Sequence, residues 1–261
     1  MVAPGGGVST RTVHVGGDAV QTTVTSRGDV VRQWVQTTWW RLRRRSGGDR
    51  VVGMGVQWHP LSRALPAGAE PRPCTLQLCA GNRCLVFQVG QAGAIPAVLR
   101  RFLADGGVTF AGYNVAYDCR VLRAHHGLVV ASTLELHGAW GMGNASMARM
   151  AERLLGITGE EKDREVRRSR WGVRKLSMEQ VRYACVDAYL SCRLGEHIRA
   201  GDRASEMTDD EEDDYLSCRV VGDRIRAGDK AREITDDEDD DYDRGYYDDY
   251  VDRFVGLLEL R

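Results

Sequence analysis

The seven cysteines of this 261-residue chain include no Cys-x-x-Cys pair, and their number is odd. That spacing excludes a zinc knuckle and argues against a disulfide framework. Cys74, Cys79, Cys84, Cys119, Cys185, Cys192 and Cys218 are mostly set among apolar neighbours and are expected to be buried, reduced thiols. No run of about 18 apolar residues is present, so no membrane span is expected. The start, MVAPGGGVST, has no hydrophobic signal core, and the expected compartment is the nucleus, the cytoplasm or both. Net charge is also nearly absent, at −1, but this averages two unlike regions. The first two hundred residues are rich in arginine, whereas the last sixty carry the runs DDEEDD (209–214) and DDEDDD (236–241). A basic, anion-facing body followed by an acidic tail is the reading of that asymmetry.

Hydrophobic content of 43% and charged content of 28% fit a soluble globular domain. Residues 1–10 are expected to be disordered. Two β-rich runs around Gly16-Gly17-Asp18 then read as a hairpin. Ser26 is the expected cap of a helix to about Arg45, with Val31, Trp34, Val35, Thr38 and Leu42 on one side. Its basic end, WWRLRRR, places Arg41, Arg43, Arg44 and Arg45 at the negative pole of the helix dipole, as a solvated helix end or a phosphate-facing patch. Strands are expected at 50–58, 74–80 and 83–89, the last two joined by a tight Gly-Asn turn. A helix (94–105), a strand (108–114), a helix (116–126), a strand (128–136) and a helix (145–155) follow. A basic loop then leads to a long helix over 178–199, where Ser177 and Gln180 have capping-box spacing. Hairpin-connected strands followed by alternating helices and strands imply an α/β fold, a mixed sheet covered by helices.

The segment 189–214 is echoed by 215–241, with one residue inserted. Two copies do not make a solenoid. The region 201–261 reads as a duplicated acidic tail, poorly ordered, beyond an ordered domain of residues 11–200 (a hairpin-helix lead-in at 11–46 and a core at 50–200). It is either a passive extension or an acidic segment that competes with nucleic acid for the basic body or binds a basic partner.

The strand RVVGMGVQW (50–58) poses a question. Val52, Met54, Val56 and Trp58 share one face, and Gly53, Gly55 and Gln57 share the other. Each glycine weakens a strand by about 0.5–1 kcal/mol relative to alanine, so the second face reads as one not made for packing. Elsewhere, Tyr183 and Asp187 stand at i and i+4 on one helix face, and Asp118 opens a helix just past a strand end. Singly, these are an ordinary half-buried helix face and a helix-start aspartate favoured by the dipole.

Taken in order, the segments TLQLCAGNRCLVFQV, FAGYNVAYD and LGITGEEKDREVRRSRWGVRKLSMEQVRYACVDAYLS resemble the 3'-5' exonucleases of the DEDD class, tyrosine subtype, in the Werner-syndrome-type form found in plants. The resemblance covers about residues 11–199. Lys162, Ser169, Trp171, Leu176, Ser177, Gln180, Tyr183, Ala184, Asp187, Ala188 and Tyr189 keep the family's spacing. It implies a ribonuclease-H-like sheet, with three antiparallel strands plus parallel ones flanked by helices. It also implies hydrolysis of a terminal phosphodiester with two Mg²⁺ or Mn²⁺ ions. By position, Asp118 and Asp187 match two of the family's four metal carboxylates, and Tyr183 matches the tyrosine that orients the attacking water. The first-strand Asp and Glu fall on Gly55 and Gln57. Glycine offers no ligand, and glutamine offers one neutral oxygen. At about 1.5–3 kcal/mol per charged ligand, the loss weakens metal binding roughly 10²- to 10⁴-fold. His59 and Glu70 lie nearby in sequence without the required positions.

Three readings follow. The first is a working or impaired exonuclease on DNA or RNA 3' ends. The second is a non-catalytic nucleic-acid module, using Lys162, Arg120, Arg167, Arg168 and Trp171 as the binding residues, with Trp171 either stacking on a base or serving as a packing anchor. The third is a protein-interaction relic that assembles with itself or with an active paralogue, a decaying duplicate included.

Overall fold

The computed structural model describes residues 7–44, 50–58, 70–139, 142, 145–160 and 163–209. Two units are distinguished, residues 1–143 with 147–199 and residues 144–146 with 200–261, and the fold below is that of the first. Of the tail expected to be poorly ordered from residue 201, residues 201–209 continue a long helix, and residues 210–261, with Lys162, His59, Arg45 and Cys218, lie outside the described residues.

The chain begins with the hairpin β1 (Val8–Val15) and β2 (Asp18–Thr25), so the first strand starts inside the stretch expected to be disordered. Val15 pairs with Asp18, and Gly16 and Gly17 take φ of +56° and +89°, angles that side chains oppose. Helix α1 (Gly28–Arg43) follows. Its buried residues are Val31, Trp34, Val35, Thr38 and Leu42, the face expected from their helical spacing. Its N-cap is Arg27 rather than Ser26. The nearby hydroxyl that matters is that of Thr25, which accepts the Arg27 N–H at 3.0 Å.

Strands β3 (Val51–Trp58), β4 (Pro73–Ala80) and β5 (Arg83–Phe87) form an antiparallel meander, with Gly81 (φ +53°) in the β4–β5 turn. Helix α2 (Ala97–Leu103), strand β6 (Thr109–Gly112) and helix α3 (Val115–His126) come next. Then follow β7 (Thr133–Glu135), α4 (Met147–Leu155), the short α5 (Arg164–Arg167) and α6 (Met178–Asp209). Strand β7 is shorter than the expected 128–136, because its partner β6 offers only a few residues before the left-handed Asn114 turns the chain into α3.

The sheet has seven strands in the order β1-β2-β5-β4-β3-β6-β7. Strand β2 joins β5 in parallel, so the N-terminal hairpin extends the same sheet instead of standing apart from it. Strands β3, β6 and β7 are parallel to one another.

The two faces are covered differently. Val52, Met54, Val56, Leu76, Leu78, Leu85 and Phe87 join residues of α1, α2 and α3 in one apolar core. The opposite face carries Gly53, Gly55, Gln77, Cys79, Cys84 and Thr22, and α6 lies against it. A Cβ at Gly53 would overlap the Ala188 carbonyl oxygen and stand 2.5 Å from the Cys192 nitrogen. Gly195 on the helix faces Ala111 and Val51 as closely. This corrects the reading of the glycine face as one not made for packing: at Gly53 the missing side chain is what lets the α6 backbone settle on the strand. Thr22 donates to the Cys185 sulfur at 3.0 Å, and the Tyr189 hydroxyl donates to Asp18, tying the hairpin to the same helix. The described cysteines are free thiols, buried except for the half-buried Cys119. Among the described residues no helix is long and apolar enough to cross a membrane.

Candidate functional site

Helix α6 starts with the expected capping box. The Gln180 N–H donates to the Ser177 hydroxyl at 3.2 Å, and the Ser177 N–H donates to Gln180 Oε1 at 3.0 Å. The Gln180 amide also donates to the Ser169 hydroxyl and to the Arg170 carbonyl, at 2.8 and 3.1 Å. Gln88 and Gln91 donate to the carbonyls of Gly172, Val173 and Arg174. Three glutamines thus supply the loop before α6 with the donors its backbone would otherwise lack. Sequence reasoning missed Gln88 and Gln91, since a polar residue near a strand end carries no signal of which loop it will meet.

Trp171 is the centre of that loop and is fully buried. Its indole N–H donates to the Arg167 carbonyl at 3.0 Å, and its ring stands 5.8 Å from that of Tyr183. No face is open for a base, so of the two readings of Trp171 the packing anchor holds and the stacking role falls: it anchors the loop and backs Tyr183. Arg120 departs from expectation too. Its guanidinium is paired with Glu70 at 2.7 Å and stacked 4.8 Å over the ring of Tyr117. Both contacts hold it to its own scaffold, and the ion pair engages Oε1 of Glu70. Arg167 and Arg168 lie in and just after α5.

Asp187 and Asp118 are buried, at 8% and 5% exposure. Asp118 sits in the first turn of α3, directly after β6, where the helix dipole favours its charge. Its neighbour Cys119 is pushed up to about 12, first by burial and then by the negative charge of Asp118. Trp58, at the end of β3, packs edge-on against Tyr117 beside it. Asp187 is set against β3 itself: a Cβ at Gly55 would meet its Oδ2 at 2.6 Å. The same point lies 3.2 Å from Oε1 of Gln77, the residue paired with Gly55 on β4. That oxygen is buried and accepts no hydrogen bond, while the Gln77 amide donates to Thr75 at 2.6 Å. Gln77 is a second residue that sequence reasoning passed over, because only strand register brings it beside Asp187.

The structure therefore brings Asp187, Gly55 and Gln77 together, and it puts Gln57 half-buried two residues along the strand. Tyr183, one turn before Asp187, also borders a cavity of about 220 Å³ lined by Glu160, Asp163, Val166, Glu179, Arg182 and Val186. Glu160 is itself committed, accepting from Arg182 at 2.8 Å and from the Gly16 N–H at 3.1 Å. With three carboxylates and one arginine, that cavity is a poor seat for a phosphate.

A pair of divalent cations does not fit the donors present. Among the described residues no group of three or more His, Cys, Asp or Glu side chains could hold a metal ion. Position 55 supplies backbone only, and Gln57 and Gln77 offer neutral amide oxygens where hard cations favour carboxylates.

The model of a 3'-5' exonuclease family matches residues 61–200, just over half of the chain and beginning directly after β3. Among individual proteins, the chain is 27% identical over 184 residues to a 3'-5' exonuclease of Drosophila virilis, covering 64% of this chain and 51% of that protein. It is 26% identical over 164 residues to a 3'-5' exonuclease of Arabidopsis thaliana, covering 58% and 54%. This chain thus spans about half the length of those relatives. Among solved structures, the Nibbler EXO domain of Aedes aegypti superposes with a TM-score of 0.54 at 17% identity, over 68% of this chain and 86% of that one. Trypanosoma brucei RNase D gives 0.55 at 17%, over 68% and 64%. At such identity the likeness speaks for the fold, a ribonuclease-H-like mixed sheet flanked by helices. With that sheet, and with a family match through β4, β5, β6, α3 and α6, the chain belongs to the 3'-5' exonuclease family.

Proposed function

We propose that Asp118, Tyr183 and Asp187 border a groove in which this protein engages the 3' end of a nucleic-acid strand, and that its phosphodiester hydrolysis is impaired. The observation that carries the reading is the contact at Gly55, where backbone alone faces the Asp187 carboxylate. The i, i+4 placement of Tyr183 and Asp187 on α6 supports assignment to the tyrosine subtype. RNA as well as DNA is within the proposal, since Trypanosoma brucei RNase D, a structural neighbour at a TM-score of 0.54, has been solved in complex with RNA U12. Arg167, Arg168 and Lys162 remain the proposed phosphate contacts. Assembly with a second copy or with an active paralogue would let another subunit supply the hydrolysis.

The test is a paired nuclease assay with Mg²⁺ or Mn²⁺ on a 3'-recessed duplex and on single strands. The unaltered protein is expected to release few or no nucleotides. Gly55→Asp with Gln57→Glu is expected to restore release, because the atom in the way at position 55 is the rotatable end of Asp187. Ready release of nucleotides by the unaltered protein, equal to that of the repaired one, would overturn the impairment. Failure of either to bind a free 3' end at low salt would overturn the nucleic-acid reading.

A further inference from the structure

The C-terminal end of α1 gathers cations and indoles that the groove does not use. Arg43 stacks 4.7 Å over Trp39, Arg44 stacks 4.2 Å over Trp40, and Arg83 of β5 lies 5.9 Å over Trp34. Trp40 is 56% exposed, an unusual position for so large an apolar ring. Arg41, Arg43 and Arg44 are exposed as well. Arg41 is close enough to Arg83 for its charge, after burial, to lower the Arg83 pKa, and Arg83 Nη1 is buried without a hydrogen-bond partner. Among the described residues none of these four arginines is paired with a carboxylate. Among the described residues Asp105, which lies against Trp39, accepts from the Trp39 indole at 2.7 Å and from the Gly107 N–H at 3.0 Å.

The helix dipole accounts for cations at this end but not for the open indole between them. Four guanidinium groups with no carboxylate partner among the described residues call for a polyanion. An exposed Trp ring and flat stacked guanidinium planes call for bases. A carboxylate segment would satisfy the first demand and leave the second unused. The patch also sits on the other side of the sheet from Asp187. Leu85 and Phe87, which share a face of β5 with Arg83, pack in the α1 core, while Gly53 and Gly55 face α6.

We propose that Trp40, Arg41, Arg43, Arg44 and Arg83 form a second docking surface for single-stranded nucleic acid, on the α1 side of the sheet and separate from the 3'-end groove. The proposal rests on the groove reading in one respect: a strand held at its 3' end would reach α1 only with nucleotides well upstream. Strands long enough to pass round the sheet therefore bind through both surfaces, and short ones through the groove alone.

The experiment is fluorescence anisotropy on the full chain, with labelled single-stranded DNA and RNA of about 6 and about 30 nucleotides across a salt series. Trp40→Ala is expected to weaken the long strand roughly 5- to 100-fold, the range of one lost base stack, and Trp40→Phe to keep most of the affinity. Arg41→Glu with Arg43→Glu and Arg44→Glu is expected to lower the salt slope by about 2, at about 0.7 per phosphate contact. Neither change should alter the affinity of the short strand or the thermal melt. Unchanged long-strand affinity in both variants overturns the second surface and leaves the groove reading intact. Loss of short-strand binding in the unaltered protein, with long-strand binding still dependent on Trp40, overturns the groove reading instead. If a peptide copying residues 205–216 binds in a way that needs these arginines while oligonucleotides do not, the occupant is the chain's own acidic run and the proposal falls.

Discussion

At Gly53 an added methyl group would overlap the carbonyl oxygen of Ala188, whereas at Gly55, two residues on, it would meet Oδ2 of Asp187 at 2.6 Å. Both glycines face α6, and both look alike in sequence. The obstacle at Gly53 is helix backbone, which cannot yield without lifting α6 off the sheet. The obstacle at Gly55 is the end of one side chain, which a rotation can move. Gly53 is thus required by packing, and Gly55 is not. The close approach that Gly53 permits is also what brings Asp187 to β3, so the first glycine builds the place in which the second presents backbone to that carboxylate.

Four measurements break or sharpen this contrast. The largest effect is expected from Gly55→Asp with Gln57→Glu, which should tighten Mg²⁺ or Mn²⁺ binding roughly 10²- to 10⁴-fold by calorimetry. An unchanged isotherm would mean that the site is defective beyond β3. Next, Gly53→Ala should cost about 3 kcal/mol or more in urea unfolding, because overpacking here meets backbone. A variant as stable as the parent would remove the packing role. Gln180→Ala should cost about 1–2 kcal/mol, through the lost capping box and the stranded partners Ser169 and Arg170. Added to Gly53→Ala, it tests whether the start of α6 and its seat on β3 act together, in which case the two effects will not sum. The smallest effect is expected at Gly55→Ala. A strand gain of about 0.5–1 kcal/mol offsets the displacement of Asp187, and stability should stay within about 1 kcal/mol of the parent. A loss as large as at Gly53 would collapse the distinction.

Local patterns are legible in the sequence alone. The buried face of α1, the two-residue turn at Gly81-Asn82 and the Ser177–Gln180 box depend on residues within a few positions of one another, where chain geometry leaves little choice. The cap of α1 is not legible in this way, because the helix starts one residue later than Ser26 would place it, with Arg27 at the cap and its N–H held by the Thr25 hydroxyl. The pairing of Glu70 with Arg120 is equally hidden, since a charged side chain reads as exposed until its partner is known.

The sequence by itself determined the order and type of the elements apart from the short α5, which falls in the expected basic loop, together with the positions of Asp118, Tyr183 and Asp187 and the absence of acids at residues 55 and 57. Only the tertiary structure decided that β2 runs beside β5, that Gln77 turns an unpartnered oxygen toward Asp187, and that one glycine serves packing while the other does not. The physical reason is range. Periodicity and capping act over a few residues along the chain, whereas the approach of α6 to β3 joins residues more than 130 positions apart and is set by which backbone atoms leave room.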